Sequence, residues 1–248
     1  MPDLIKFSPM IRTFIFCWLF IGALVPLAQG QNIGFEEIDE SKVTPWSTSK
    51  PSVYDGLYRF GDSEGESTLV LFHTEQGYFA QIRVADWEGE DLGWVYTYRN
   101  LEGVKVADGV FSSENYYGRF VRYSNAEGAQ PGLRIDNPWS GIPDAGNYEI
   151  GLRISDQLSE YYPGDFIQAS IKVLNTSDLE SLTAEELRLM RNEIFARYGY
   201  TFRAGGAMAA HFGQQSWYQA THTQVDDYLT GLEKANIQTI LAEEKRRN

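Results

Sequence analysis

Three histidines, His73, His211 and His222, supply all the imidazole in 248 residues. None stands four residues from another, so the His-x-x-x-His and His-Glu-x-x-His arrangements that hold a catalytic zinc are absent. His211 and His222 flank Trp217-Tyr218 and could meet in space, but two lone histidines in a helical region read as packing or surface residues. The single cysteine, Cys17, lies in the N-terminal apolar run. The rest of the chain therefore has no thiolate for zinc or for nucleophilic attack, and no disulfide. Gly61-Asp62-Ser63-Glu64-Gly65 fits the pattern of a nucleophile elbow, which needs a strand before the serine and a helix after it. Glu66 to His73 reads as a strand, so the segment reads instead as a turn of small polar residues. Asp86-Trp87-Glu88-Gly89-Glu90-Asp91 gathers carboxylates of the kind a hard cation wants, without EF-hand order, and reads as a solvated hairpin loop. Glycoside hydrolysis would need two carboxylates about 5–9.5 Å apart. Glu64, Glu66, Glu88 and Glu90 qualify by type alone.

Aromatic and guanidinium side chains offer binding chemistry instead. Aromatics make up 14 % of the chain. Trp94 and Trp139, with Tyr116-Tyr117, would line a sugar- or peptide-binding cleft or plug the end of a barrel. The turn Asp136-Asn137-Pro138-Trp139-Ser140-Gly141 favours the plug. Further on, Arg191, Asn192, Glu193 and Arg197 fall on turns of one helix. Glu193 and Arg197 are spaced i,i+4, which as an exposed ion pair contributes about 0.3–0.5 kcal/mol. Asn192 and Arg197 would bond loop carbonyls after Gly199. Alternatively, Arg191 and Arg197 would present a guanidinium to a carboxylate-bearing ligand. The candidate ligand-binding residues are thus Arg191, Asn192, Arg197, Trp217, Tyr218, Trp94 and Trp139. No catalytic residue, cofactor or metal is assigned, and no phosphate loop, dinucleotide fingerprint or internal repeat is present.

The elements that must position these residues divide the chain. Residues 31–52 read as a polar, flexible or extended lead-in with Pro45 and Pro51. Residues 53–174 read as all-β. Strands are expected at Tyr54 to Phe60, Ser67 to His73, Tyr78 to Val84, Trp94 to Arg99, Val104 to Val106, Val110 to Ser113, Tyr116 to Tyr123, Leu133 to Ile135, Tyr148 to Ile154 and Ile167 to Val173. Tyr78, Ala80, Ile82 and Val84 share one face and Phe79, Gln81 and Arg83 the other, the period of a half-buried strand. Many short strands with regular turn signals indicate a barrel or sandwich, with a barrel ranked slightly higher.

From residue 175 the period becomes helical. Thr183 and Glu186 form a capping box, Leu187, Met190, Ile194 and Tyr198 line one face, and Gly199 stands where a left-handed C-cap is wanted. A short helix is expected from Ala204 to Phe212. A second capping box, Thr230 with Glu233, opens a final helix with Leu232, Ile237, Ile240 and Leu241 inward.

Residues 1–30 look like an address. Lys6 and Arg12 precede an apolar run from Phe14 to Ala28, which ends in Ala28-Gln29-Gly30, the small-x-small signature of a signal peptidase site. The run is shorter than the ~20 residues of a bilayer-spanning helix, so cleavage after Gly30 is expected. Cys17 lies mid-run, out of place for lipidation. The net charge of -13 argues against nucleic acid as a partner and against simple adhesion to an anionic membrane.

The stretch Arg191-Asn192-Glu193-Ile194-Phe195-Ala196-Arg197-Tyr198-Gly199-Tyr200-Thr201-Phe202 resembles the signature of the YARHG-domain family. Its name-giving positions fall on Phe195, Ala196, Arg197, Tyr198 and Gly199. Phe212, Trp217-Tyr218, Leu232-Glu233 and Asn236-Ile237 match downstream, over about Leu179 to Lys245. The resemblance implies a small helical, bacterial, envelope-facing module found beside peptidase or kinase domains, with no established activity. Here the motif tyrosine is Phe195 and its histidine is Tyr198. Histidine and tyrosine differ in pKa by ~3.5 units, so a proton-transfer role at this position is disfavoured.

The sequence therefore leads to a segregated α+β chain: a β-barrel or sandwich, then a three-helix module over residues 175–248. The function expected first is non-catalytic binding to a cell-envelope polymer or envelope protein, in the periplasm or outside the cell. A lipocalin-like carrier of a small apolar ligand comes second and a cell-wall hydrolase third.

Overall fold

A computed structural model describes residues 38–61, 66–89, 93–126, 128–139 and 148–247. The proposed signal segment, with Cys17, and the serine of the elbow-like motif lie outside them. So do Glu64, Glu90 and Asp91. A strand, Ser67–Thr74, follows the elbow-like motif where an elbow requires a helix.

Ten strands form one antiparallel sheet: β1 (Val43–Pro45), β2 (Gly56–Phe60), β3 (Ser67–Thr74), β4 (Gly77–Trp87), β5 (Trp94–Leu101), β6 (Lys105–Ala107), β7 (Val110–Ser112), β8 (Tyr117–Asn125), β9 (Gly128–Asp136) and β10 (Tyr148–Ser155). Their order is β5-β4-β3-β2-β10-β9-β8-β7-β6, with β1 pairing β8 beyond β7. The sheet curls into a half-barrel. Its first and last meander strands, β2 and β10, are hydrogen-bonded, which leaves the open seam between β5 and β6 in the middle of the chain. Within the lead-in, Val43–Pro45 is extended and pairs with β8, and Trp46, the next residue, belongs to the core.

The concave side is filled by aromatic rings. Tyr54 stacks on Phe120 at 4.0 Å and Trp46 meets Tyr54 edge-on at 5.1 Å. Tyr58, Phe60 and Phe111 join them, with Leu69, Leu71, Ala80 and Ile82 from β3 and β4. The period-two reading of β4 holds on this face. Its other face, expected to meet water, is covered: Phe79 packs with Leu57, Val70, Phe72, Tyr161, Tyr162 and Leu232.

What covers it is a helical layer: α1 (Gln168–Ile171), α2 (Thr176–Leu179), α3 (Ala184–Arg197), α4 (Ala207–Phe212) and α5 (Gly231–Arg247). Both expected capping boxes are present. Thr183 Oγ1 accepts from the Glu186 amide at 3.2 Å, and Thr230 Oγ1 from the Glu233 amide at 3.2 Å. The expected strand Ile167 to Val173 is instead the turn of helix α1. Its β-branched residues suit a strand, but long-range partners override that preference. The Asn236 amide on α5 donates to the carbonyls of Ala169 (2.9 Å) and Lys172 (2.7 Å), and its oxygen accepts from the Leu174 amide (2.9 Å). Among the described residues the α-helices thus number five rather than three, and they begin before residue 175.

Candidate functional site

The helical layer and the sheet meet at a buried polar chain that starts on α3. Arg197, expected in an exposed pair with Glu193, is buried with it; their side chains are 1 % and 4 % exposed. The guanidinium donates to Glu193, to Ser170 Oγ (2.8 Å) and to the Pro163 carbonyl (2.8 Å). Its loop partner therefore precedes the helix and is not the segment after Gly199. Glu193 also accepts the amides of Asp165 (2.9 Å) and Phe166 (2.8 Å). The loop comes so close that a Cβ at Gly164 would lie 2.4 Å from the Glu193 carboxyl carbon, and Gly164 has φ +115°. Only glycine fits there.

Ser170 passes the chain on, donating to Glu233 at 2.5 Å. Tyr198, in the family's histidine position, donates to Glu233 at 2.8 Å. The Gln81 oxygen on β4 lies 3.3 Å from the Tyr198 hydroxyl and 3.1 Å from that of Tyr161. Gln81 in turn donates to the Tyr228 carbonyl at 2.6 Å. Burial raises the Glu233 carboxyl above its ordinary range, against the hydrogen bonds from Ser170, Thr230 and Tyr198. Burial also lowers Arg197, opposed by the charges of Glu193 and Glu233.

Beside this chain a cleft of about 230 Å³ opens between the outer face of β4 and β5 and the end of α3. The pleat puts Trp94, Tyr96 and Tyr98 of β5 on one face, and all three line it with Arg83 of β4. The far wall is Tyr161, Tyr198 and Trp217, with Glu160, Gln219 and Thr221. Gly199 shapes that wall. It caps α3 at φ +71°, as expected, and a Cβ there would lie 2.4 Å from Thr221 Oγ1. His222, two residues beyond Gln219-Ala220, places Nε2 2.8 Å from the Tyr96 carbonyl, which occupies part of the outer edge of β5. His211 stays on α4 against Phe212, so the two histidines do different work.

Burial pushes the Tyr98 hydroxyl up to about 12 and raises Tyr161 and Tyr198 well above the ordinary phenol value. These hydroxyls stay protonated and serve as neutral hydrogen-bonding groups. Arg83 sits with its guanidinium 4.9 Å from the Tyr96 ring and 4.7 Å from the Tyr161 ring. Its Nε is buried without a hydrogen-bond partner, and no carboxylate among the described residues pairs with it.

Of the residues singled out from sequence, Trp94, Arg197 and Trp217 meet at this cleft, although the Arg197 guanidinium is committed to internal partners. Arg191 pairs with Glu244 on α5 at 2.8 Å. Asn192 donates to the Arg188 carbonyl at 2.7 Å, within its own helix. Tyr218 donates to the Tyr200 carbonyl at 2.6 Å. Trp139 plugs the half-barrel: it packs on Phe60 (4.7 Å) and Tyr116 (5.2 Å), and its Nε1 donates to Ser67 Oγ at 2.8 Å. Arg83 and Tyr96 were not singled out. Their signal was the alternation in β4 and β5, which marks a second face without saying that it borders a cleft. Among the described residues no group of His, Cys, Asp and Glu is placed to hold a metal ion, and no helix is long and apolar enough to cross a membrane.

No curated protein and no solved structure matches the chain. The family model that does match begins fourteen residues before the resemblance read from sequence, at Asp165, whose amide binds Glu193. It includes α1 and reaches the last turns of α5, and no family model matches the sheet. Residues 165–245 of this chain are a YARHG domain.

Proposed function

We propose that this is an exported, non-catalytic binding protein that holds a saccharide of the bacterial cell envelope in the cleft between the sheet and the YARHG domain. Export rests on the basic, apolar and small-x-small run that ends at Gly30. The observation that carries the binding reading is the composition of the cleft wall. Among the described residues, six tryptophans and tyrosines line it beside Arg83, Glu160, Gln219 and Thr221, with no Leu, Ile, Val, Met or Phe. A flat ring can take the C–H face of a pyranose, while its hydroxyls find tyrosine, amide and hydroxyl partners. An apolar ligand would cover the Arg83 guanidinium without giving its buried Nε a partner.

A hydrolytic role has less support. General acid–base work needs two groups with separated pKa values, and among the described residues the cleft supplies one carboxylate, Glu160, beside tyrosines that stay protonated. Carriage of an apolar molecule inside the barrel has less support still, because the concave side is occupied by the protein's own rings.

The test is co-sedimentation of purified residues 31–248 with isolated cell-wall sacculi. The chain should pellet with them, and Trp94→Ala combined with Trp217→Ala should release it without changing its melting temperature. Pelleting that ignores the double substitution would move the site elsewhere, and failure to pellet would end the reading for that polymer.

A further inference from the structure

We propose that Arg83 selects an acidic saccharide, a sugar ring carrying a single carboxylate, which deepens the saccharide reading above and rests on it. The guanidinium is a planar fork that matches a carboxylate through two parallel hydrogen bonds. The two arginines of α3 that were candidates for ligand contact are bound internally, Arg191 to Glu244 and Arg197 to Glu193. Arg83 is different. Two tyrosine rings flank its guanidinium, Tyr96 on β5 at 4.9 Å and Tyr161 on the far wall at 4.7 Å. No carboxylate among the described residues neutralises it, and its buried Nε bonds nothing. A cation held between two rings and without a carboxylate partner loses little freedom when a ligand arrives.

The surroundings narrow the ligand further. Glu160 lies on the same cleft and disfavours a dianion such as a phosphate monoester, as does the overall charge of -13. Among the described residues the only aliphatic side chains on the wall are the small ones of Pro163 and Ala196, which disfavours a carboxylate at the end of an apolar peptide. A cleft of about 230 Å³ takes roughly one ring rather than a long chain. Trp94 and Trp217 supply the stacking faces and the optical signal.

The experiment titrates the intrinsic tryptophan fluorescence of residues 31–248 with glucuronate, glucose and glutarate at matched ionic strength, in the wild type, Arg83→Gln and Arg83→Lys. Glucuronate should bind at least tenfold more tightly than glucose in the wild type. The preference should shrink to near unity in Arg83→Gln and be only partly kept in Arg83→Lys, with all three proteins melting cooperatively. Equal binding of glucose and glucuronate to the wild type would overturn the selection while leaving the saccharide reading intact. Glutarate binding as well as glucuronate would show an anion site without saccharide recognition and overturn the proposal from the other side. No response to any of the three would overturn both. The wild-type comparison decides even if an Arg83 variant does not fold.

Discussion

A guanidinium removed from water is stable only if its partners are complete, and Arg197 has three of them on three segments: Glu193, Ser170 and Pro163. Arg197→Ala leaves Glu193 buried without its cation, and such a break costs about 3–5 kcal/mol. Arg197→Lys should recover only a minor part, because an ammonium cannot reproduce a fork with three separate acceptors. Urea unfolding of both variants checks this, and a lysine variant as stable as wild type would sink it. Asp55, the residue before β2, gives a pH-dependent case. Burial raises its carboxyl to about 7, against a hydrogen bond from the His73 backbone and the charge of Arg153, and one oxygen bonds nothing. Because the folded value lies above the unfolded one of about 3.9, the fold favours the neutral form. Stability is greatest below pH 4 as far as this group is concerned and falls as pH climbs to about 7. Asp55→Asn should therefore melt higher than wild type at pH 8, and the gap should close at pH 4; a gap equal at both values would refute the assignment. Residue by residue, the capping boxes and the left-handed Gly199 were legible in the sequence because each depends on neighbours within four positions. Burial of Arg197 was not, since Pro163 and Ser170 lie some thirty residues upstream. Arg83 stayed hidden because alternation shows which side chains share a face and not what faces them.

At the scale of elements, most strands were readable, and the one that failed is instructive. Ile167 to Val173 has strand-like composition, but a single amide on α5 binds three backbone groups of that segment and holds it as a helical turn with its exit. Asn236→Ala would leave those groups without their partner in a buried site. Each net hydrogen bond contributes about 0.5–1.5 kcal/mol and an unmet buried group costs more, so a loss of roughly 2–4 kcal/mol is expected by chemical denaturation. Asn236→Asp should be no better, as it keeps the acceptor and loses both donated bonds. The family match supports the same boundary by taking α1 into the YARHG domain.

On the scale of the whole molecule, the sheet and the YARHG domain share one apolar layer, in which Leu57, Val70 and Phe72 meet Tyr161, Tyr162 and Leu232. Gln81 and Asn100 tie the same face to the backbone at Tyr228 and Leu229. Unfolding is therefore expected in one cooperative step, with near-ultraviolet circular dichroism and tryptophan fluorescence changing together. A chain ended at Ser155 should expose that layer and aggregate, whereas a soluble, folded truncated sheet would show that the two parts are independent. The segregation into sheet and helices was legible from the change of period; the depth of their contact was not, because an alternating strand reads as wet on one side. The strand most affected is β3. It has a hydrogen-bonded neighbour on either edge, rings beneath it and the helical layer above it. In deuterated water its amides should be the last in the molecule to trade their protons, so the sheet's slowest clock runs in β3, beneath the YARHG domain rather than within it.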